Sequence, residues 1–138
     1  MTDIEPRPLA RQRLIQAMYQ WHLTGASSTD ISEQFLADGL LNNADRDYFK
    51  DILPELIAQN ESLSAMFSKH LDRPYSQLDP VALSILLLGA YELNFRSDVP
   101  YKVTINEAIE LAKMLGPEGS HKFINGVLDK VAESVRNT

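Results

Sequence analysis

The chain has 138 residues, of which 44% are apolar and 23% are charged, so it has the size and composition of one ordinary globular domain. It contains no cysteine, which excludes a disulfide framework, thiol catalysis and zinc sites built on cysteine. Acids and prolines occupy the start of the chain, where a secretory signal needs an apolar stretch. The longest apolar run has about half the length of a membrane-spanning helix. We therefore expect a cytoplasmic protein.

The net charge of −6 is distributed unevenly along the sequence. Residues 1–24 carry three arginines against two acids, whereas residues 25–95 carry four basic residues against eleven acidic ones. A protein that binds nucleic acid by itself usually has a basic domain, and this chain is acidic. Its acidic middle instead favours association with a basic partner.

The first half of the chain is predicted to be helical throughout. A first helix should run from about Pro8 to Leu23, and a second should begin at Asp30, where Glu33 three residues later resembles a capping box. Gly39 should end the second helix. A third helical segment follows, and Pro54 within it should kink it or split it into two helices.

The second half of the chain is also predicted to be helical. After the loop DRPYSQLDP, Asp79 should cap a helix that starts at Pro80 and runs to about Phe95. Gly116 should end the next helix, and Ser120 should open the last one. Since no stretch shows the alternation typical of strands, the predicted fold class is all-α, with about six to seven helices.

Catalysis has little support in the sequence. The three histidines, His22, His70 and His121, have no second ligand at metal-binding spacing. Glu107 and Glu110 lie one turn apart, but a lysine follows three residues later, which indicates a salt-bridged exposed face rather than an acid pair. The glycines are scattered singly, so there is no phosphate-binding glycine loop. We expect no enzyme activity, no metal and no cofactor.

Three arginines near the start of the first predicted helix are more informative. Arg7 and Arg11 are four residues apart and share a helix face, whereas Arg13 projects about 240° away from Arg7. Cations at a helix N-terminus oppose the helix dipole. Either they form an ordinary solvated face, or they bind an anion.

Four segments carry a family resemblance: RQRLIQAMYQWHL, LDPVALSILLLGAYEL, VPYKVTINEAIELAK and SHKFINGVLD. In motif order and spacing they resemble the NusB family of bacterial transcription antitermination factors, over about residues 4–135. The resemblance implies a non-enzymatic protein made of two stacked helical bundles. We expect a single domain over residues 1–138, with helical halves of about 5–72 and 78–136.

The resemblance also implies partners. Members of the NusB family form a heterodimer with the ribosomal small-subunit protein NusE, and the pair binds boxA RNA of ribosomal RNA operons. Together with other Nus factors this makes RNA polymerase resistant to termination. The alternative is a protein-interaction scaffold or homodimer with little RNA affinity of its own. The acidic chain and its basic helix start agree with a basic partner and with phosphate contacts.

The residues expected to bind RNA follow from the same resemblance. The resemblance implies RNA contacts at the arginine-rich first helix of the family. This chain has Arg7, Arg11 and Arg13 there, although the family usually has more arginines at this helix. Lys122 and Phe123, in the SHKF motif, are expected to hold a phosphate and to stack on a base. For Phe123 the alternative is packing in the core.

Three residues are expected to contact the protein partner. Tyr19 points about 160° away from Trp21, which follows the predicted buried stripe of the first helix. Leu83 and Leu87 share one face of a helix that is apolar on nearly every side, and the family often has polar residues there. That helix is either central to the core or partly exposed. We predict that Leu83 and Leu87 lie at the surface and enlarge the apolar patch for the partner.

Overall fold

The computed structural model describes residues 4–136, which form seven α-helices and one short 3-10 helix. The predicted all-α class is confirmed. None of the helices in this part of the chain is long and apolar enough to cross a membrane. The α-helices are α1 (Pro6–Thr24), α2 (Ser28–Ala37), α3 (Arg46–Ala58), α4 (Asn60–Ser68), α5 (Pro80–Phe95), α6 (Tyr101–Leu115) and α7 (Ser120–Val135), and the 3-10 helix, Tyr75–Gln77, precedes α5.

Two predictions about the helix boundaries of the first half need correction. The cap of α2 is Ser27, whose hydroxyl accepts a hydrogen bond from the backbone N–H of Asp30 at 3.1 Å, so Asp30 lies inside the helix. The third predicted segment does divide into two helices, α3 and α4, but the break lies at Gln59, and α3 continues past Pro54 to Ala58. Because Pro54 is exposed, the carbonyl that loses its helical partner lies on the solvent side of the helix, where water can bond to it.

The helices divide into two compact units, one ending at Ala58 and the other beginning at Gln59. This boundary lies earlier than the predicted one near residues 72–78. The reason is that α4 packs against α5 and α7, so it belongs with the second unit. Buried Leu63 and Phe67 form its packed side. That both units belong to one domain stays a prediction.

In the first unit, α1 packs against α2 and α3. Leu14 and Met18 of α1 are fully buried, and the rings of Phe35 in α2 and Phe49 in α3 stack with centroids 5.7 Å apart. The buried stripe predicted for α1 is therefore confirmed for Leu14 and Met18. Trp21 departs from the prediction because it is only half-buried.

In the second unit, α5 lies against α4, α6 and α7 and forms the centre of the core. The side chain of Leu87 is fully buried and that of Leu83 is 8% exposed, so the prediction that they lie at the surface is wrong. With helices packed on three sides, α5 buries every residue from Ala82 to Leu93. Leu83 and Leu87 therefore serve the core rather than an exposed patch.

Both ends of α5 are held by side chains. The Asp79 carboxylate accepts hydrogen bonds from the backbone N–H groups of Val81 and Ala82, at 2.9 and 3.1 Å, which confirms the predicted cap. Near the other end, the buried carboxylate of Glu92 accepts a hydrogen bond from the hydroxyl of Thr104 in α6 at 2.8 Å. This polar contact links α5 to α6 within a mainly apolar core.

Candidate nucleic-acid interface

Arg7 and Arg11 lie on one face of α1, and both guanidinium groups approach the ring of Tyr48 in α3. The distance from Cζ to the ring centroid is 4.3 Å for Arg7 and 5.6 Å for Arg11. Such cation–π contacts are attractive, and they fix the cations relative to the ring. The Arg7 side chain is 41% exposed, whereas Arg11 is 3% exposed. A phosphate can therefore reach Arg7 directly, whereas Arg11 is buried.

Asp45, just before α3, accounts for the position of Arg7. Its carboxylate Oδ2 accepts from Nε and Nη2 of Arg7 at 3.4 and 3.5 Å, and its Oδ1 accepts from the backbone N–H of Tyr48 at 3.1 Å. The backbone N–H of Asp45 donates to the carbonyl of Pro6 at 2.9 Å. These bonds join the segment before α3 to the start of α1.

The Arg13 side chain makes hydrogen bonds within the first unit. Its Nε donates to the carbonyl of Leu40 at 2.7 Å, and its Nη1 donates to the side chain of Gln16 at 2.9 Å. The first bond ties α1 to the segment that follows α2. Arg13 therefore lies apart from Arg7 and Arg11 and does not approach Tyr48. This agrees with the prediction that Arg13 projects from a different side of the helix.

A second group of candidate residues lies in the other unit, on the first turns of α7. Lys122 is exposed and Phe123 is half-buried. Both line a depression of about 360 Å³ that also includes His70, Asp72 and Lys130. A shallow depression with cations and an aromatic ring can accept a single-stranded base and its phosphate.

Arg73, which the sequence analysis did not single out, covers one side of Phe123. Its guanidinium Cζ lies 4.8 Å from the ring centroid, and its Nε pairs with Asp72 at 2.9 Å. This ion pair lowers the pKa of Asp72. Lys130 was also missed, although its spacing of seven residues from Phe123, close to two helical turns, could have found it.

Tyr19 of α1 is 40% exposed, as predicted for a residue that meets a partner. Leu23, four residues later on the same face, is 66% exposed and was not predicted. Trp21 lies between them in sequence, and its ring packs on His22 with a centroid distance of 5.0 Å. Burial lowers the pKa of His22. Tyr19 and Leu23 together give α1 an exposed apolar strip.

The predicted exposed salt bridge of α6 is present. Nζ of Lys113 lies 3.9 Å from Oε1 of Glu110, and both side chains are more than half exposed. Such a pair contributes little to stability. It supports the interpretation of this face as a solvated one rather than as an acid pair.

Comparison with known proteins identifies one family over most of the chain. The NusB family matches residues 8–133. The transcription antitermination protein NusB of Pseudoalteromonas translucida is 47% identical over 134 residues, which cover 94% of this chain and 98% of that protein. The protein of the same name from Alcanivorax borkumensis is 48% identical over 130 residues, which cover 94% of this chain and 87% of that protein.

Solved structures show the same fold. NusB of T. maritima has a TM-score of 0.76 and 32% sequence identity, covering 94% of this chain and 93% of that one. A chain from a complex of NusB and NusE with double-stranded RNA has a TM-score of 0.82 and 24% identity, covering 92% and 96%. Because the family matches nearly the whole chain and curated relatives share close to half of their residues with it, this protein belongs to the NusB family of transcription antitermination factors.

Proposed function

We propose that the chain acts in antitermination by binding RNA as a heterodimer with the ribosomal small-subunit protein NusE, with boxA RNA of ribosomal RNA operons as its target. In this proposal the heterodimer joins other Nus factors on RNA polymerase and makes the polymerase resistant to termination. Family membership supports it, and a protein with the same fold has been solved with NusE and double-stranded RNA. The observation that carries the RNA contact is the accessible, preordered guanidinium of Arg7 at the start of α1.

Among the three predicted arginines, Arg7 is the one proposed to contact phosphate directly. Arg11 is buried beside Tyr48, where its charge adds to the local positive potential without direct contact. Arg13 keeps its bonds within the fold. Arg7→Ala should therefore reduce the slope of log affinity against log salt by about 1, since one phosphate contact is lost.

Lys122 and Phe123 are proposed to form a second RNA contact, with Lys130 at the same depression. Lys122 is exposed and suited to a phosphate. Because the Arg73 guanidinium covers one side of the Phe123 ring, a base would stack on the other side or replace Arg73. Stacking of one base on an aromatic side chain contributes about 1–3 kcal/mol. Phe123→Leu keeps an apolar side chain but removes this stacking, so it should weaken RNA binding without unfolding the protein.

Tyr19 is proposed to contact the protein partner, with Leu23 on the same exposed strip. The negative charge of the chain favours a basic partner such as a ribosomal protein. Tyr19→Ala should weaken the heterodimer while leaving thermal unfolding nearly unchanged, because an exposed side chain contributes little to the core. Leu83 and Leu87 are buried and have no place in this surface.

One observation favours the alternative of a scaffold or homodimer with little RNA affinity of its own. Arg11 is buried and Arg13 is bonded to Leu40, so α1 presents fewer accessible cations than its arginine content suggests. In the proposed function this same feature makes RNA binding depend on NusE. Both interpretations predict that the isolated chain binds RNA weakly. They differ in how much the addition of NusE raises the affinity for RNA.

The experiment is a fluorescence anisotropy titration of boxA RNA with the chain, with NusE and with their equimolar mixture, at several salt concentrations. A scrambled RNA of the same composition is the control. We expect the mixture to bind boxA RNA more tightly than either protein alone and to prefer it over the scrambled RNA. If the mixture gains nothing over NusE alone, the proposal is wrong. Sedimentation of the isolated chain then shows whether it is a homodimer.

A further inference from the structure

Asp45 presents a carboxylate to the guanidinium group that is proposed to bind phosphate. The nearest contact, between Arg7 Nε and Asp45 Oδ2, is 3.4 Å long, and Nη2 lies 3.5 Å from the same oxygen. Both side chains are partly exposed, at 41% for Arg7 and 27% for Asp45. A long, partly solvated ion pair of this kind is weak. It can therefore be exchanged for another anion.

The geometry of the pair decides which part of Arg7 is occupied. A guanidinium binds carboxylate and phosphate oxygens through the same N–H groups, and the edge formed by Nε and Nη2 is one of its paired donor edges. Asp45 takes this edge. A phosphate oxygen that approaches the exposed Arg7 must either use the remaining N–H groups or displace the carboxylate.

Asp45 cannot easily turn away from Arg7. Its second carboxylate oxygen, Oδ1, accepts from the backbone N–H of Tyr48 at the start of α3, and its own N–H is bound to the carbonyl of Pro6. These two bonds hold the backbone and one oxygen, so the other oxygen stays directed at Arg7. The negative charge therefore remains beside any phosphate that approaches.

We propose that Asp45 competes with RNA phosphate for the Arg7 guanidinium and so lowers the RNA affinity of the chain. This inference rests on the proposed RNA contact of Arg7. Asp45 is an affinity-determining residue: it does not touch RNA, and it acts through the cation that does.

The substitution Asp45→Asn tests the competition with little effect on the fold. Asparagine caps a helix about as well as aspartate, so its side-chain oxygen can still accept from Tyr48. Its amide group then faces Arg7 and cannot accept a hydrogen bond from it. The matched control is Asp51→Asn, which removes the same charge from an exposed position of α3. Thermal unfolding of both variants shows that the helix cap is intact.

Binding of boxA RNA is measured in the presence of NusE for the wild type, Asp45→Asn, Asp51→Asn, Arg7→Ala and the Arg7→Ala/Asp45→Asn double variant. We expect Asp45→Asn to bind about two- to fivefold more tightly than Asp51→Asn at low salt, the size expected of an exposed ion pair. In the double variant this gain should disappear, because the two residues act on one contact.

Each other outcome overturns the proposal at a different point. If Arg7→Ala weakens binding but Asp45→Asn binds no more tightly than Asp51→Asn, the competition is refuted and the RNA contact stands. If Asp45→Asn binds more weakly, Asp45 orients Arg7 for the phosphate instead of competing for it. If Arg7→Ala binds like the wild type, Arg7 does not contact RNA and has no phosphate to compete for. If no mixture binds boxA RNA, the proposed function itself fails.

Discussion

Arg136, directly after α7, joins three parts of the second unit through one side chain. Its Nε donates to the carbonyl of Leu93 at 2.7 Å, and its Nη1 donates to the carbonyl of Val99 at 3.0 Å. Its Nη2 donates to the carbonyls of Glu92 and Arg96, at 3.0 and 2.9 Å. The last carbonyls of a helix have no partner within it, and a cation is favourable at that end. Arg136 therefore stabilises the end of α5 and the segment that leads to α6.

The substitution Arg136→Ala removes all four hydrogen bonds. A hydrogen bond within a protein contributes about 0.5–1.5 kcal/mol net, and the lower part of that range applies here because the Arg136 side chain is only half-buried, so water can take the place of its guanidinium. The expected loss in the free energy of unfolding is therefore about 2–4 kcal/mol. For a chain of this size, we take a change of about 3–5 °C in the midpoint for each kcal/mol, which predicts a fall of about 6–20 °C.

Chemical denaturation followed by circular dichroism measures this loss. Arg136→Lys keeps the charge, but a single ammonium cannot reach four carbonyls at once, so we expect an intermediate stability. Glu133→Ala, an exposed position on α7, is the control and should change the free energy of unfolding by no more than about 0.5 kcal/mol. If Arg136→Ala unfolds at the same denaturant concentration as Glu133→Ala, the four bonds contribute nothing and the reasoning is wrong.

Three further predictions follow from burial. Leu87→Ala leaves a cavity in the centre of the core and should cost about 2–5 kcal/mol in denaturant unfolding, whereas a surface leucine would cost little. Gly89→Ala places a Cβ 2.7 Å from Cδ1 of the buried Leu128 and should cost about 1–3 kcal/mol by overpacking, measured in the same way. Because burial lowers the pKa of His22, the unfolded chain binds more protons than the folded chain as the pH falls below about 6.5, so stability decreases there. His22→Gln should flatten that part of the pH profile of the thermal midpoint.

Local signals predicted some helix ends and not others, for a physical reason. Asp79 and Pro80 form a single strong start signal, and the structure uses it. Before α2, by contrast, Ser27, Ser28, Thr29 and Asp30 are all residues that cap helices well, so the sequence offers four starts in a row. Which of them becomes the cap depends on how α2 packs against α1 and α3, and no local pattern contains that information.

The candidate RNA-binding residues show the same division between local and long-range information. Spacing alone predicted that Arg7 and Arg11 share a face. It did not predict the ring of Tyr48 or the carboxylate of Asp45, because both lie more than thirty residues away in the sequence. Without them, the accessible Arg7 cannot be told from the buried Arg11.

The error at Leu83 and Leu87 has a different origin. A helix that is apolar on every side has no face that the pattern marks as exposed, so periodicity gives no answer. The expectation of polar residues at these positions, taken from the family resemblance, then favoured the surface. Leu83 and Leu87 are buried because α5 is covered by three helices, and leucine fits positions that face them. The contacts of this chain therefore outweigh the family pattern.

The arrangement around Tyr48 bears on how strongly the chain can bind RNA. A free arginine side chain loses up to about 2 kcal/mol of rotamer entropy when it is immobilised, and Arg7 has already lost part of this freedom on the ring of Tyr48. In the proposed function, its contact with phosphate is therefore favourable for its size, since preordering reduces the cost of binding. Because Arg11 is buried and Arg13 is bonded within the fold, α1 has one well-exposed guanidinium, that of Arg7. This group packs on the ring of Tyr48 and lies beside the carboxylate of Asp45. In the proposed function, most of the positive charge that holds RNA must then come from the basic partner, so affinity should rise steeply when NusE is added.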